Sequence, residues 1–396
     1  MDDENKIFDF ILKTNVKSGI GSIYEIPNFL IENNYKRIGF VIDGNLINSI
    51  KSIGKLIDIC KKEFESVIIH QYFENFEPTY QYLDLAKLEF KRDKESLVDC
   101  IIGIGGGSAI DLSKGISTLI TNHKNSITYR GFPEGLNLSI PVIAVPSTAG
   151  TGTELAYNAV FIDEDTNTKL GINTPNNYPA LSILDPEIVA TAPKKVVIGS
   201  GIGALIRTFE TLVSPKANMV SRTYSKQAYE LIQSSLPRVL KDNNLHYWSN
   251  MQWGAYYSMA ALSNSTSGPA GAISYYLSTK YNIPQGYGYG ISGLKIAEYN
   301  IKQGYEGYSF LFDMFKDQDN LDFDEKSKSN LVIDKTKQLF TDIGVQKLSD
   351  FGLNNNDFDA FINFCKETAK VAFTNNPIIF NHDILELMIY EMITGK

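Results

Sequence analysis

An apolar segment that runs directly into a glycine turn and then into a helical pattern constrains the fold of this chain most. It reads DCIIGIGGGSAIDLSKGISTLI over residues 99–120. Glycines let the backbone approach a phosphate closely, and the helix N-terminus supplies free N–H groups and the positive end of a dipole. Gly105, Gly106, Gly107 and Ser108 are therefore predicted to bind phosphate, although a tight strand-to-helix turn without a ligand would use the same residues.

The segments around this turn alternate between apolar runs and helical patterns. An apolar run from residue 36 is followed by a turn at Asp43 and Gly44, a helical pattern and a second apolar run at 67–69. A helical stretch is expected over 79–97, a strand over 140–148 and two short extended pieces before residue 189. This order predicts an α/β domain with a doubly wound parallel sheet.

Helical periodicity replaces this alternation beyond residues 191–195, as in the segments 221–240 and 251–268. We therefore expect two domains, since a chain of 396 residues exceeds the size of most single cores. Residues 1–189 are assigned to the α/β domain. Residues 190–396 are assigned to an all-α domain.

A second loop with ligand-binding potential follows the strand at 140–148. Its sequence, PSTAGTGTE, carries the hydroxyls of Ser147, Thr148, Thr151 and Thr153, which suit phosphate, ribose or carboxamide groups. In open α/β sheets, ligands bind at the carboxyl ends of the strands, where both loops would lie. Asp43 ends the first strand, where its carboxylate could bind a ribose diol and repel a 2′-phosphate, or could be an ordinary turn aspartate.

Composition and charge favour a cytoplasmic protein that acts on small molecules. The net charge of −8 and the lack of a basic stripe argue against nucleic-acid binding. No apolar run approaches the roughly 18 residues that a membrane span needs, and the acidic start is unlike a secretory signal. Cys60, Cys100 and Cys365 are dispersed, so a disulfide framework or thiolate zinc site is not indicated. The expected partners are a small-molecule substrate and a second copy of the chain.

Several motifs resemble those of the iron-containing (group III) alcohol dehydrogenase family, which has a dehydroquinate synthase-like fold. The resemblance covers nearly the whole chain, and the motifs occur in the family's order: FENFEPT (73–79), DCIIGIGGGSAIDLSKG, IPVIAVPSTAGTGTE, LDPEIV (184–189), ALIRTFETLVS and YNIPQG (281–286). It implies that residues 1–189 form a dinucleotide-binding (NAD-binding) domain and that the helical domain, residues 190–396, completes an active-site cleft. It implies that the residues from Gly105 to Ser108 hold the pyrophosphate and that Asp111 and Thr148 lie near the cofactor. It also implies that Asp43 favours NAD over NADP and that the protein is a homodimer.

The chain departs from the family at the metal site. Family members hold a divalent cation with an aspartate and a histidine one helical turn apart, a ligand from a later helix, and a ligand in an IPHG-like segment. These positions fall on Gly203, Arg207, Gly271 and Gln285, and none of these residues is a good metal ligand. We therefore expect no metal cofactor.

Hydride transfer without a metal needs another positive group beside the reacting oxygen. Arg207 is the candidate because its guanidinium stays charged, and Gly203 would make room for it or for the substrate. Since arginine cannot act as a base, Tyr275 or Lys169 would exchange the alcohol proton. The alternative for Arg207 is a helix-surface ion pair with Glu210, three residues further along.

The expected function is an NAD-dependent, metal-independent interconversion of an alcohol and an aldehyde or ketone. The substrate would be small, polar and anionic, of the sugar-acid or phosphonate type. Two alternatives remain open: a catalytically silent NAD-binding homologue with a scaffold or regulatory role, and a non-redox lyase-type enzyme on the same fold.

Overall fold

The computed structural model describes residues 7–73, 77–317 and 322–395, so residues 74–76 of the FENFEPT motif lie outside the described part. The chain divides into two compact units. The α/β unit contains Leu12–Thr148 and Gly152–Ala192, and the helical unit contains the residues up to Ile11, Ala149–Thr151 and the chain from Pro193 onward.

A six-stranded parallel sheet forms the centre of the α/β unit, with the strand order β1-β10-β7-β6-β2-β3. Its strands are β1 (Asn15–Ser18), β2 (Arg37–Asp43), β3 (Ser66–Tyr72), β6 (Cys100–Gly105), β7 (Val142–Pro146) and β10 (Leu181–Leu184). The helices are α1 (Ile26–Glu32), α2 (Gly44–Ile47), α3 (Lys51–Glu63), α4 (Tyr80–Ala86), α5 (Gly107–Thr121) and α6 (Pro186–Val189). Short 3₁₀ helices span Ser22–Glu25, Lys87–Glu89, Ser126–Tyr129 and Pro175–Asn177. This parallel sheet with its helices confirms the predicted α/β fold.

Both faces of the sheet are covered, which explains why its central strands are apolar along their whole length. Ile38 and Phe40 of β2 pack into one core, and Val41 packs into the core on the opposite face. Leu112 of α5 belongs to that second core. The glycine turn therefore lies between a strand and a helix that are both fixed by packing.

Two antiparallel pairs lie outside the main sheet and were not predicted as pairs. The expected helix over 79–97 is wrong beyond Glu89, because β4 (Lys91–Arg92) and β5 (Glu95–Ser96) form a small hairpin there. Asp93 has a φ of 54°, a left-handed conformation that a turn uses and a helix does not. β8 (Asn158–Asp163) pairs with β9 (Thr168–Asn173). β1 and β8 were missed because each is short and depends on its neighbour.

The second unit is helical, as predicted, and is built around the buried helix α7 (Lys194–Val213). The other helices are α8 (Met219–Val239), α9 (Leu245–Ser263), α10 (Pro269–Tyr281), α11 (Gln285–Lys302), α12 (Glu325–Ile343), α13 (Phe358–Asn363), α14 (Lys370–Phe373) and α15 (His382–Thr394). A π-helix spans Phe364–Thr368, and 3₁₀ helices span Gly307–Phe315, Leu348–Phe351 and Asn355–Asp357. By length and composition α7 could cross a membrane, but 89% of its apolar window is buried inside the fold, as in a core helix.

Glycines bring the backbones of α7 and α11 into direct contact. A β-carbon on Gly286 would lie 2.2 Å from the carbonyl oxygen of Gly199, closer than real atoms approach. A β-carbon on Gly203 would lie 3.0 Å from the Cα of Gly286. The predicted room beside Gly203 for Arg207 or a substrate is therefore wrong at this position, because the backbone of Gly286 fills it.

We expect Gly286→Ala to destabilise the protein by about 3 kcal/mol, because α11 must move away from α7 to admit the methyl group. The control is Gly54→Ala in α3, where nothing lies within 4 Å of the added β-carbon. That variant should be more stable than the wild type by about 0.5–1 kcal/mol, since alanine favours the helix. Urea unfolding followed by circular dichroism measures both. Equal stability of Gly286→Ala and the wild type would contradict the close contact.

Candidate functional site

The glycine turn opens the N-terminus of α5 at the carboxyl end of β6. Gly105 has a φ of 152°, which L side chains rarely adopt, and an added β-carbon there would lie 2.7 Å from that of Ala109. Gly106 is the N-cap of α5 and no side chain caps this helix. The first turn, with Gly107 and Ser108, therefore keeps N–H groups that no capping side chain uses, which is the arrangement that binds phosphate.

Residues at the ends of the two neighbouring strands lie beside this turn. The Ser147 amide donates a hydrogen bond of 2.8 Å to the Gly105 carbonyl, which ties the end of β7 to the turn. A β-carbon on Gly106 would lie 3.6 Å from Cγ2 of Thr148, and one on Gly105 would lie 3.1 Å from Cβ of Asp43. The structure thus brings these predicted residues together within the α/β unit. Thr151 is exposed and belongs with the helical unit.

Asp43 caps the short helix α2. Its Oδ1 accepts hydrogen bonds of 3.0 Å from the backbone and from the side-chain amide of Asn45. The side chain remains partly exposed. Asp43 therefore acts as a turn and capping residue in this structure. Its carboxylate could still bind a ribose, because a carboxylate accepts several hydrogen bonds.

Asp111 faces the interior of the α/β unit. Its Oδ1 accepts a hydrogen bond from the Thr153 hydroxyl, and its Oδ2 accepts one of 3.1 Å from the Val160 amide. Lys114, one turn further along α5, lies 3.5 Å from Oδ1. Burial raises the pKa of the Asp111 carboxyl, and the Lys114 charge opposes that shift. Both carboxylate oxygens are engaged by the fold itself.

Lys169 lies on β9 with its side chain only 2% exposed. Its ammonium forms an ion pair with the carboxylate of Glu77. This ion pair holds the Lys169 side chain against the residue that follows the FENF segment, and the role of Lys169 or Tyr275 in proton exchange stays a prediction.

The four positions that correspond to metal ligands do not fit a divalent cation. Gly203 and Gly271 carry no donor atom, and Arg207 brings a positive charge to the place of a neutral ligand. Gln285 begins α11 and is half-buried. Among the described residues (7–73, 77–317 and 322–395), there is no cluster of three or more His, Cys, Asp or Glu side chains that could hold a metal ion.

Arg207 is buried, with 8% of its surface exposed, and its guanidinium is fixed in place. Its Nη1 donates to the carbonyl oxygen of Gly150 at 3.0 Å and to the hydroxyl of Ser258 at 2.9 Å. These two hydrogen bonds fix the orientation of the guanidinium. Arg207 thereby joins α7 to α9 and to the segment Ala149–Thr151 of the glycine- and threonine-rich loop.

Glu210, the residue weighed as a surface partner of Arg207, is also buried. Its carboxylate accepts hydrogen bonds of 3.1 Å from the Gly268 amide and 2.6 Å from the Ala270 amide, at the N-terminus of α10. It also accepts a hydrogen bond from the Tyr289 hydroxyl of α11. The expectation of a surface pair is therefore wrong, because both charges lie in the core.

The electrostatics of this cluster follow from burial. Burial raises the pKa of the Glu210 carboxyl, and the hydrogen bond from Tyr289 opposes the shift. Burial also raises the pKa of the Tyr289 phenol well above its ordinary value, so this group stays protonated as a donor. The Arg207 guanidinium carbon lies 5.9 Å from the centre of the Tyr289 ring. A fixed cation, an aromatic ring and a carboxylate thus share one buried region.

Sequence reasoning missed Ser258, Lys114 and Tyr289 as parts of these networks. The network around Lys114 could have been predicted, because Asp111 and Lys114 stand three residues apart in an apolar helix. Charged side chains buried in such a helix need hydrogen-bond partners. Tyr275, the predicted proton carrier, lies on α10 one turn past Gly271 and is half-buried.

The comparisons with known proteins agree with this architecture. A family model for iron-containing alcohol dehydrogenases matches residues 13–186, and a model for the C-terminal region of the same family matches residues 197–392. The 1,3-propanediol dehydrogenase of Citrobacter freundii is 29% identical over 279 residues, which are 70% of this chain and 72% of that protein.

Two solved structures extend the match to the whole fold. The alcohol dehydrogenase from Oenococcus oeni has a TM-score of 0.89 and 26% identity, and the match covers 98% of this chain and 100% of that chain. The sulfoacetaldehyde reductase from Bifidobacterium kashiwanohense, solved in complex with NAD⁺, has a TM-score of 0.85 and 20% identity, with 99% and 100% coverage. This chain belongs to the iron-containing alcohol dehydrogenase family of oxidoreductases, although it lacks the residues expected to bind the metal.

Proposed function

We propose that this protein is an NAD-dependent oxidoreductase that interconverts an alcohol and its aldehyde or ketone without a bound divalent metal. The observation that carries the proposal is the uncapped N-terminus of α5, with Asp43 and Thr148 beside its glycine turn. Gly105, Gly106, Gly107 and Ser108 would hold the pyrophosphate. Asp43, Ser147, Thr148 and Thr151 would contact the rest of the cofactor. A cofactor held there would supply the hydride acceptor for alcohol oxidation, or the hydride donor for carbonyl reduction.

Arg207 supplies the positive charge that the family otherwise obtains from its metal. The guanidinium is permanently charged and is held by Gly150 and Ser258, so it needs no reorganisation when charge develops on the substrate oxygen. Tyr275 holds the alcohol proton and passes it to solvent, since a phenol can donate and accept at the same atom. The same fixed cation favours a small, polar, anionic substrate, of the sugar-acid or phosphonate type. The fold is shared with the sulfoacetaldehyde reductase from Bifidobacterium kashiwanohense.

Incubation with NAD and a panel of alcohols, sugar acids and hydroxyphosphonates, followed by NADH absorbance, tests this function. A catalytically silent NAD-binding protein is the second candidate, because the loss of all four ligand positions would also follow from a loss of catalysis. Tight NAD binding with no turnover across the panel would support that second candidate. Conversion of a substrate without net NADH would point to lyase-type chemistry.

Metal independence predicts that chelation leaves the activity unchanged. Protein purified without chelator should contain less than about 0.1 equivalents of zinc or iron per chain, because the four positions offer no competent ligand set. Dialysis against EDTA should leave kcat and KM unchanged. A family member that retains the four ligands, treated in parallel, should lose activity. Stoichiometric metal in this protein would overturn the proposal.

The role of Asp43 predicts a change in cofactor preference. In Asp43→Asn the charge is removed while a good capping residue for α2 is kept. We expect the NAD-to-NADP affinity ratio to fall at least fivefold, since removing a like charge near a 2′-phosphate is worth about 1 kcal/mol or more. Titration of both cofactors by calorimetry measures the ratio. An unchanged ratio would mean that Asp43 serves only as a turn residue.

The role of Arg207 predicts a large catalytic defect in Arg207→Met. We expect kcat to fall by about 10²–10³, by analogy with the loss of a preorganised oxyanion donor. Arg207→Lys should retain part of the rate because it keeps the charge. Ser258→Ala, which removes one acceptor and leaves the charge, is the control and should lose less than about tenfold. If Arg207→Met lowers only the melting temperature, Arg207 is a packing residue.

A further inference from the structure

Lys114 is a fully buried lysine whose hydrogen-bonding capacity is filled by one neighbouring segment. Its Nζ donates to the carbonyl of Thr153 at 2.6 Å, to the hydroxyl of Thr153 at 2.5 Å and to the carbonyl of Asn158 at 2.9 Å. An ammonium group has three hydrogens, so these acceptors use all of them. Its side chain has no exposed surface.

Asp111 compensates the buried charge of Lys114 and forms hydrogen bonds with the same segment. The Thr153 hydroxyl bridges the two groups, since it accepts from Lys114 and donates to Asp111. The second carboxylate oxygen of Asp111 accepts from the Val160 amide. Burial lowers the pKa of Lys114 and raises that of Asp111, and their mutual attraction opposes both shifts. A buried pair of this kind is retained only when its geometry is well satisfied.

The Asp111–Lys114 pair lies between the glycine turn and the hydroxyl-rich loop, so it can affect both ligand-binding segments. Asp111 and Lys114 lie in the first two turns of α5, directly behind the glycine turn. Thr153 lies at the far end of the loop that begins with Ser147 and Thr148. The near end of that loop is tied to the same element, through the hydrogen bond from the Ser147 amide to the Gly105 carbonyl. Both ends of the loop are therefore fixed to the β6–glycine turn–α5 element.

We propose that Lys114 and Asp111 are positioning residues for the dinucleotide: they fix the end of the Ser147–Thr153 loop on α5 and so set its distance from the glycine turn before the cofactor binds. Their observed contacts are with the loop and with the start of the strand that follows it. The inference rests on the proposed NAD-dependent function. It reassigns Asp111 from a neighbour of the cofactor to a support of the loop.

Removing the Thr153 hydroxyl, which bridges Lys114 and Asp111, tests the positioning role without leaving a buried charge unpaired. Thr153→Val keeps the shape and removes the hydroxyl, whereas Thr153→Ser keeps the hydroxyl and should behave like the wild type. We expect Thr153→Val to raise the Kd for NAD about tenfold and KM for NAD by a similar factor. Its kcat at saturating NAD should stay within about threefold of the wild type. In the cofactor-free protein, amides of residues 152–160 should exchange hydrogen faster.

Thr118→Val is the matched control, because Thr118 is also a buried hydroxyl on α5 but bonds to Asn177 instead of the loop. It should lose stability without weakening NAD binding. If Thr153→Val does not fold, the double variant Lys114→Met with Asp111→Asn removes both charges together and should show the same tenfold loss.

The outcomes separate this inference from the function on which it rests. Failure of the wild type to bind NAD would overturn the proposed function. Wild-type binding together with unchanged Kd, KM and exchange rates in Thr153→Val would overturn the positioning role alone. A higher Kd of similar size in Thr118→Val would also overturn it, since a general loss of stability would then explain the effect.

Discussion

The burial of two opposite charges on one core helix is the constraint on which the helical unit depends. Arg207 and Glu210 lie on α7, where a charge without partners would be destabilising by several kcal/mol. Each is satisfied by a different set of groups. Arg207 binds α9 and the Gly150 carbonyl, and Glu210 binds the start of α10 and the Tyr289 hydroxyl of α11. The four positions that correspond to metal ligands lie on α7, α10 and α11. The hydrogen bonds of Glu210 join these three helices.

The α/β unit uses the same physical solution. Lys114 and Asp111 are buried on α5, and their partners all lie in the segment that leaves the hydroxyl-rich loop. In both units an otherwise apolar helix carries a charged pair or cluster whose partners are distant in sequence. Hydrogen bonds to such charges are stronger and more directional than apolar contacts. These hydrogen bonds therefore hold the loop after β7, at Gly150 and Thr153, in one conformation.

Much of the fold could be predicted from the chain. The apolar runs of β2, β6 and β7 and the glycines that follow β6 indicated a parallel sheet, because such patterns depend on local residue order. The hairpin at Lys91–Ser96 and the strands β1 and β8 could not be found in this way. Each is two to six residues long and forms only because a partner strand or a core position is already in place.

The candidate site was predictable to a similar degree. Asp43, the glycine turn and Thr148 come together because the carboxyl ends of neighbouring parallel strands meet at one edge. The partners of Arg207 were not predictable, since Gly150 and Ser258 lie 57 and 51 residues away in sequence. The absence of a side chain at Gly203 suggested open space, but the crossing of α7 and α11 fills that space with backbone.

The sequence by itself determined the fold class, the phosphate-binding pattern and the loss of metal-ligating side chains, because each is a property of residue types in a fixed order. Only the tertiary structure decided that Arg207 donates to Gly150 and Ser258, that Glu210 faces the core and that Asp111 accepts hydrogen bonds from Thr153 and Val160. The physical reason is the same in each case. A buried polar group must find its hydrogen-bond partners among whatever the packing brings near, and the packing is set by contacts between residues far apart in the chain.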